Sequence, residues 1–214
     1  MYLTRFRINP ERRGARKLLI SPQAMHAAVL ASYPEPPEPT SESRVLWRVD
    51  THGPKSTLYV SGPIKPDLTA LKEQAGWPEL PNGWDTIDYG GFLDKLTKGQ
   101  NWVFRLTANP VHYGRTKTGG DTVPLGHITE QHQRQWLLDR SERNGFTVAT
   151  DTLAVQASRR QQFKRQGKTV TLRVVTYDGI LTISDRDAFL RTLCAGLGRA
   201  RAYGCGLITL AKAT

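Results

Sequence analysis

The chain opens on an alternation. From Tyr2 to Ile8, the residues Tyr2, Thr4, Phe6 and Ile8 fall on one face and Leu3, Arg5 and Arg7 on the other, the period of two that predicts a strand. The period then lengthens. In "SPQAMHAAVLASYP" Ser21 suits an N-cap, Pro22 the first helical position, and Met25, Ala28 and Val29 recur at helical spacing until Pro34, which predicts a helix of about three turns. A proline-rich acidic loop, "YPEPPEPTSES", follows. Two strands, "RVLWRVD" and "STLYVSG", are then expected around "THGPK", with a short helix over 68–74 and one last strand before the first half ends near Gly99.

The second half repeats this order. Trp102, Phe104 and Leu106 alternate with Val103, Arg105 and Thr107 in a strand that Asn109 and Pro110 stop. A loop rich in Gly, Thr and Lys leads to a helix at about 129–144, terminated by Gly145. Strands are expected near 152–158, at "TVTLRVVTY" and at "ILTIS", with Asp178 and Gly179 as a tight turn between the last two. Ser184 and Asp187 predict a capping box for a helix whose stripe is Phe189, Leu190, Leu193, Cys194 and Leu197, and "GLITLA" reads as a final strand. Each half therefore approximates strand, helix, two or more strands, helix, strand. That is the split βαβ pattern of ferredoxin-like domains. The expected fold class is α+β: tandem ferredoxin-like (RRM-like) domains over 1–99 and 100–214, with antiparallel sheets and a cleft between them. The order of elements fixes no activity, although RNA recognition is among the common uses of such domains.

Charge narrows the choice. The 214 residues carry 30 Lys and Arg against 19 Asp and Glu, a formal net charge of +11, and such a field attracts polyanions. The cations cluster: 159–168, "RRQQFKRQGK", holds Arg159, Arg160, Lys164, Arg165 and Lys168 with no acid, and the N-terminal stretch includes Arg16 and Lys17. No apolar run approaches the ~18 residues of a membrane span, and the charged N-terminus lacks the features of a signal peptide, so a cytoplasmic protein without membrane contact is expected. Cys194 and Cys205 give neither a disulfide framework nor metal-ligand spacing and read as packing residues.

Two features bear on chemistry. The segment "GLGRARAYGCG" places Gly196, Gly198, Gly204 and Gly206 around Arg199 and Arg201, bare backbone beside positive charge. That suits either a phosphate-bearing ligand or a plain C-cap, loop and edge strand. His26 lies at the flank of its helix, on a stripe with Leu30 and Tyr33, and an imidazole with a pKa near 6.5 suits proton transfer as well as a surface hydrogen bond. His127 and His132, five apart, do not share a helical face, and no metal cluster is legible.

Taken together, "SPQAMHAAV", "FRLTANP", "YDGILTISD" and "GLGRARAYGCGLITLA" resemble, in order and spacing and across essentially the whole chain, the CasE family, the CRISPR repeat-RNA endoribonucleases of the type I-E Cascade complex. The resemblance implies tandem ferredoxin-like domains that bind a CRISPR repeat RNA stem-loop, in pre-crRNA and mature crRNA, alongside other Cascade protein subunits. It implies one cut at the 3′ base of the stem without a metal or other cofactor: the ribose 2′-OH attacks the adjacent phosphorus, leaving a 2′,3′-cyclic phosphate and a 5′-OH. The family's catalytic histidine matches His26, and the basic stretch 159–168 matches a hairpin that enters the groove of the stem.

The sequence also departs from the pattern. Where some members carry a tyrosine before the histidine and basic residues after it, this chain has Gln23, Ala27 and Ala31. Arg16, Lys17, Arg199 and Arg201 are then the candidates for meeting charge on the pentacoordinate phosphorus. Tyr33, two turns from His26, reads as a packing residue. A basic RNA-binding subunit without catalysis is the competing expectation, with His26 as the residue that separates the two.

Overall fold

The computed structural model describes residues 1–81, 83–115 and 122–212. Strand β1 (Tyr2–Ile8) leads into helices α1 (Arg13–Ile20) and α2 (Pro22–Leu30), strands β2 (Leu46–His52) and β3 (Lys55–Gly62), helix α3 (Thr69–Ala75), strand β4 (Trp84–Asp88) and the single turn α4 (Gly90–Leu93). The strands form an antiparallel sheet in the order β2-β3-β1-β4. The alternation of β1 does what it predicts: Thr4, Phe6 and Ile8 are buried and Arg5 and Arg7 are exposed. Phe6, Leu58, Val60 and Trp47 pack on that face against Leu18, Met25, Val29 and Leu71 from the helices.

The second half comprises β5 (Asn101–Ala108), β6 (Val111–Arg115), β7 (Thr122–Gly126), α5 (Glu130–Ser141), β8 (Phe146–Val148), β9 (Ala154–Arg165), β10 (Lys168–Ile183), α6 (Arg186–Ala195) and β11 (Ile208–Lys212). Its main sheet runs β11-β5-β10-β8, with β9 also paired to β10, and β6 and β7 form a separate ribbon. Phe104, Leu106, Tyr177 and Leu181 of the sheet pack against Trp136, Leu137, Phe189 and Leu193 of the helices. Numbered within its own half, each sheet has the order 4-1-3-2 with helices on one face, the ferredoxin-like arrangement. The second half adds the β6–β7 ribbon and β9, which pairs with an extended first part of β10 as a long hairpin.

Several expectations are corrected. Asp178 and Gly179 do not turn the chain, because β10 continues through them to Ile183. The Asp178 carboxylate instead accepts from Arg105 on β5 at 2.7 and 2.6 Å, and a Cβ at Gly179 would lie 3.2 Å from Leu153 Cα and 3.3 Å from Phe104, so this dipeptide serves packing. That hairpin turn lies instead at Gln166 and Gly167, whose φ angles are 48° and 76°, and the basic stretch 159–168 forms one arm and the turn of the β9–β10 hairpin, as the resemblance implies. The α6 N-cap is Asp185, not Ser184, and its side chain accepts from Ala188 N at 3.0 Å. Helix α1 occupies what reads as an irregular basic stretch. The Gly-, Thr- and Lys-rich loop is flanked by β6 and β7, and its residues 116–121 lie outside the described residues.

The open faces of the two sheets meet through buried charge. Arg48 on β2, 2% exposed, donates from Nε and Nη2 to both oxygens of Asp50 at 2.7 and 3.0 Å. Across the junction it donates to Arg105 O at 3.0 Å, Leu207 O at 3.1 Å and Thr209 Oγ1 at 2.8 Å. One guanidinium thus satisfies a carboxylate in its own sheet and three acceptors in the other, the fan geometry for which arginine is suited.

Candidate nucleic-acid interface

His26 is positioned by the start of α2. Ser21 Oγ accepts from Ala24 N at 3.2 Å, and Pro22 occupies the first turn, as the sequence predicts. With Met25 and Val29 buried, the intervening His26 is turned to the rim of the helix, half-buried beside Leu30. Trp47 on β2, 4% exposed, donates its indole N–H to His26 Nδ1 at 3.4 Å. An indole can only donate, so Nδ1 is the acceptor and the neutral ring carries its proton on Nε2.

Around the imidazole lies a pocket of about 520 Å³ whose lining brings together Gln23, His26, Arg44, Arg165, Arg199 and Arg201. Arg44 precedes β2, and its backbone N–H donates to Cys194 O at 3.3 Å in the second half. Arg165 reaches in from the end of β9. Arg201 is braced by its Nε donating to Gly198 O at 2.9 Å. Four guanidinium groups line the pocket, and no carboxylate is among its described lining residues. Burial first, then the charges of Arg44 and Arg165, lower the His26 pKa below its usual value, and burial followed by Arg44 lowers that of Arg201. A concave site with excess positive charge and a neutral imidazole suits an anion such as a phosphodiester.

The glycine-rich segment approaches protein at all four of its glycines, Gly198 included, where a Cβ would lie 3.1 Å from the Trp136 ring. Gly196, Gly204 and Gly206 are buried, with φ of 80°, 80° and 96°. A Cβ on Gly204 would lie 2.7 Å from the Trp47 ring, and one on Gly196 2.7 Å from Leu46. The N–H groups of Gly196 and Gly206 donate to Thr192 O at 2.9 Å and Thr107 O at 2.7 Å, which corrects the expectation that they face a phosphate. Gly198 does line the His26 pocket. The segment thus lets the second half press against β2 and hold Arg199 and Arg201 beside His26.

Of the other basic candidates, Arg160, Lys164 and Lys168 are exposed on the β9–β10 hairpin. Arg159 lines a larger cleft of about 740 Å³ between the two sheets. Phe163 packs on Tyr203 with ring centroids 4.7 Å apart, which braces the hairpin on the glycine-rich segment. Arg16 and Lys17 are exposed on α1 and do not line the His26 pocket. Tyr33 is 3% exposed, its hydroxyl pushed up to about 12 by burial, as fits a packing residue. The sequence reading missed Arg44 and Trp47. Neither sits in a motif, and only the chain's return along β2 brings them to His26. No helix is long and apolar enough to cross a membrane among the described residues.

Comparison with known proteins covers essentially the whole chain. The CRISPR-associated endoribonuclease Cse3 of Thermus thermophilus is 29% identical over 223 residues, covering 99% of this chain and 100% of the relative. The CRISPR system Cascade subunit CasE of Escherichia coli is 32% identical over 126 residues, 55% of this chain and 61% of that protein. A structure of CRISPR endoribonuclease Cse3 bound to a 19 nt RNA superposes with a TM-score of 0.75 at 26% identity, covering 99% of both chains. The profile of the CRISPR associated protein family matches residues 1–212, and the chain therefore belongs to that family.

Proposed function

We propose that this protein is an endoribonuclease that binds the stem-loop of a CRISPR repeat RNA, cuts the precursor once at the 3′ base of the stem and stays with the product as a Cascade subunit in the cytoplasm. The observation that carries the reading is a neutral, half-buried His26 in a pocket lined by Arg44, Arg165, Arg199 and Arg201. The relatives support it by name: one is a CRISPR-associated endoribonuclease and another a Cascade subunit.

The reaction assigns a task to each group. The ribose 2′-OH attacks the adjacent phosphorus, the P–O5′ bond breaks, the departing 5′-oxygen takes a proton from water, and a 2′,3′-cyclic phosphate and a 5′-OH result. His26 takes the 2′-OH proton, for which the lowered pKa keeps it in the accepting form near pH 7. Taking that proton requires a free lone pair on the ring, and the one on Nδ1 is released by giving up the 3.4 Å bond from Trp47, which at that length costs little to break. Arg44, Arg165 and Arg201 offset charge on the pentacoordinate phosphorus, in place of helpers absent at Gln23, Ala27 and Ala31. A metal ion has no assigned role. The first sheet and His26 belong to a unit spanning 1–99 and the hairpin to one spanning 100–214, so the pocket forms only where the two dock. Arg159, Arg160, Lys164 and Lys168 follow the stem's phosphates, since the deep, narrow groove of A-form RNA resists base readout.

The test is cleavage of the repeat RNA in EDTA by wild type and His26→Ala, with end-group analysis. Wild type should cut at one site to a cyclic phosphate, while the variant binds and cuts ~100- to 10,000-fold more slowly. A His26→Ala variant that cuts at the wild-type rate refutes the assignment, and tight binding without cutting by either protein establishes a catalytically inactive subunit.

A further inference from the structure

Beside the His26 pocket stands an aromatic group that the cleavage scheme leaves unused. Tyr113, on the β6 arm of the ribbon inserted between β5 and α5, is 65% exposed. A tyrosine ring in open solvent has no fixed partner; this one has a cation at its hydroxyl. Arg199 donates from Nη1 to the Tyr113 hydroxyl, and its guanidinium carbon lies 5.4 Å from the ring centroid. Arg199 in turn is fixed by an antiparallel bridge between its backbone and that of Asn109, at the end of β5, two residues before the ribbon begins. The cation grips the hydroxyl end of the ring, so ring orientation is set while most of the ring surface stays open. The same Arg199 lines the His26 pocket, which places the ring one side chain away from the proposed scissile phosphate.

We propose that Tyr113, oriented by Arg199, is a stacking platform for one unpaired nucleobase flanking the foot of the RNA stem. The assignment rests on the RNA-cleavage reading above and adds a subsite to it. An exposed aromatic ring held beside a cation is the combination that binds single-stranded nucleotides, because every base has a face to stack and every nucleotide a phosphate to neutralise. A paired stem offers neither an open base nor an accessible groove edge, so the ring's partner is the unpaired nucleotide where the duplex ends. The platform gives the site a way to register the junction between duplex and single strand. That registration, which the phosphate contacts of the β9–β10 hairpin cannot provide, places one particular phosphate at His26.

The experiment measures binding of two RNAs carrying a 2′-deoxyribose at the cut site to block cleavage: the hairpin with its flanking nucleotides and the same hairpin trimmed flush. A fluorescent 2-aminopurine is placed in turn on the 3′ and the 5′ side of the stem, so that the quenched position identifies the source of the stacked base. Tyr113→Ala should weaken binding of the flanked RNA by roughly 5- to 150-fold, leave the trimmed hairpin unchanged and abolish quenching at one position. Tyr113→Phe and Tyr113→Trp, which keep a stacking face, should retain most of the affinity. Equal losses on both RNAs, or quenching that ignores residue 113 at both positions, overturn the platform while leaving the endonuclease reading intact. A wild type that binds neither RNA overturns both.

Discussion

Replacing Arg48 by methionine tests whether the buried charge cluster holds the two sheets together. The side chain is 2% exposed and Asp50 is 10% exposed, so neither is screened by water to any extent. Removing the guanidinium leaves Asp50 facing only Arg105 at 3.7 Å and deprives Arg105 O, Leu207 O and Thr209 Oγ1 of a donor. Loss of one partner from a buried ion pair costs about 3–5 kcal/mol. For a chain of this size each kcal/mol lowers Tm by about 2–4 °C, so the expected fall is roughly 6–20 °C. Thermal and urea unfolding followed by tryptophan fluorescence would read it. Arg48→Met combined with Asp50→Leu should recover much of the loss, because the second change removes the orphaned carboxylate. An Arg48→Met protein within about 1 kcal/mol of wild type, or a double variant as unstable as the two single losses added together, would refute the reasoning.

Three further outcomes follow from the same geometry. With His26 in the proposed role of proton acceptor and its pKa lowered, single-turnover cleavage should rise with pH through a midpoint below pH 6.5. Arg44→Gln or Arg165→Gln should move the acid limb upward, and an unmoved limb separates those charges from the imidazole. The linked stability has the same sign: His26 binds its proton less readily folded than unfolded, so its contribution is full above pH 6.5 and is lost as pH falls through the folded pKa. Neutralising Arg160 or Lys164 should weaken repeat-RNA binding and lower the slope of log K against log salt by about 1 each; an unchanged slope removes the hairpin from the phosphate contacts. Gly204→Ala, at φ 80° and with its Cβ 2.7 Å from the Trp47 ring, should cost about 1–3 kcal/mol in denaturant unfolding and slow cleavage; wild-type values for both would show that the segment has room to spare.

What the sequence revealed depended on how local each cause is. The α2 and α6 helices and the alternating strands were legible because their core faces repeat at the period of the element, as Met25 with Val29 and Phe189 with Leu193 show. Helix α1 was not, since only Ala15 and Leu18 of its eight residues are buried and its cations mask the pattern. The Asp178–Gly179 pair misled because its turn chemistry is spent elsewhere, the carboxylate on Arg105 and the bare Cα on close approach to Leu153. The glycine-rich segment announced close backbone approach correctly but could not say to what, and at Gly196 and Gly204 the object is a side chain of β2. Arg44 and Trp47 reach His26 only through the folded sheet, so no local signal marked them.

The ferredoxin-like frame supplies neither half of the site alone. Its first copy contributes His26 and Arg44, its second Arg165, Arg199 and Arg201, and the pocket exists only where the copies dock. Trp47 is the hinge of that arrangement: it follows Leu46 and precedes Arg48 on β2, touches His26 with its indole N–H and receives Gly204 against its ring. The cations proposed to follow the stem, by contrast, lie on one hairpin of the second copy, braced by Phe163 on Tyr203. Binding of the stem and chemistry at the phosphate therefore meet at Arg165, which ends β9, and otherwise rest on different contacts. Loosening the dock at Arg48 separates the imidazole from Arg165, Arg199 and Arg201 while the hairpin keeps its charge, so cleavage is the more sensitive of the two activities to a defect far from the reacting atoms.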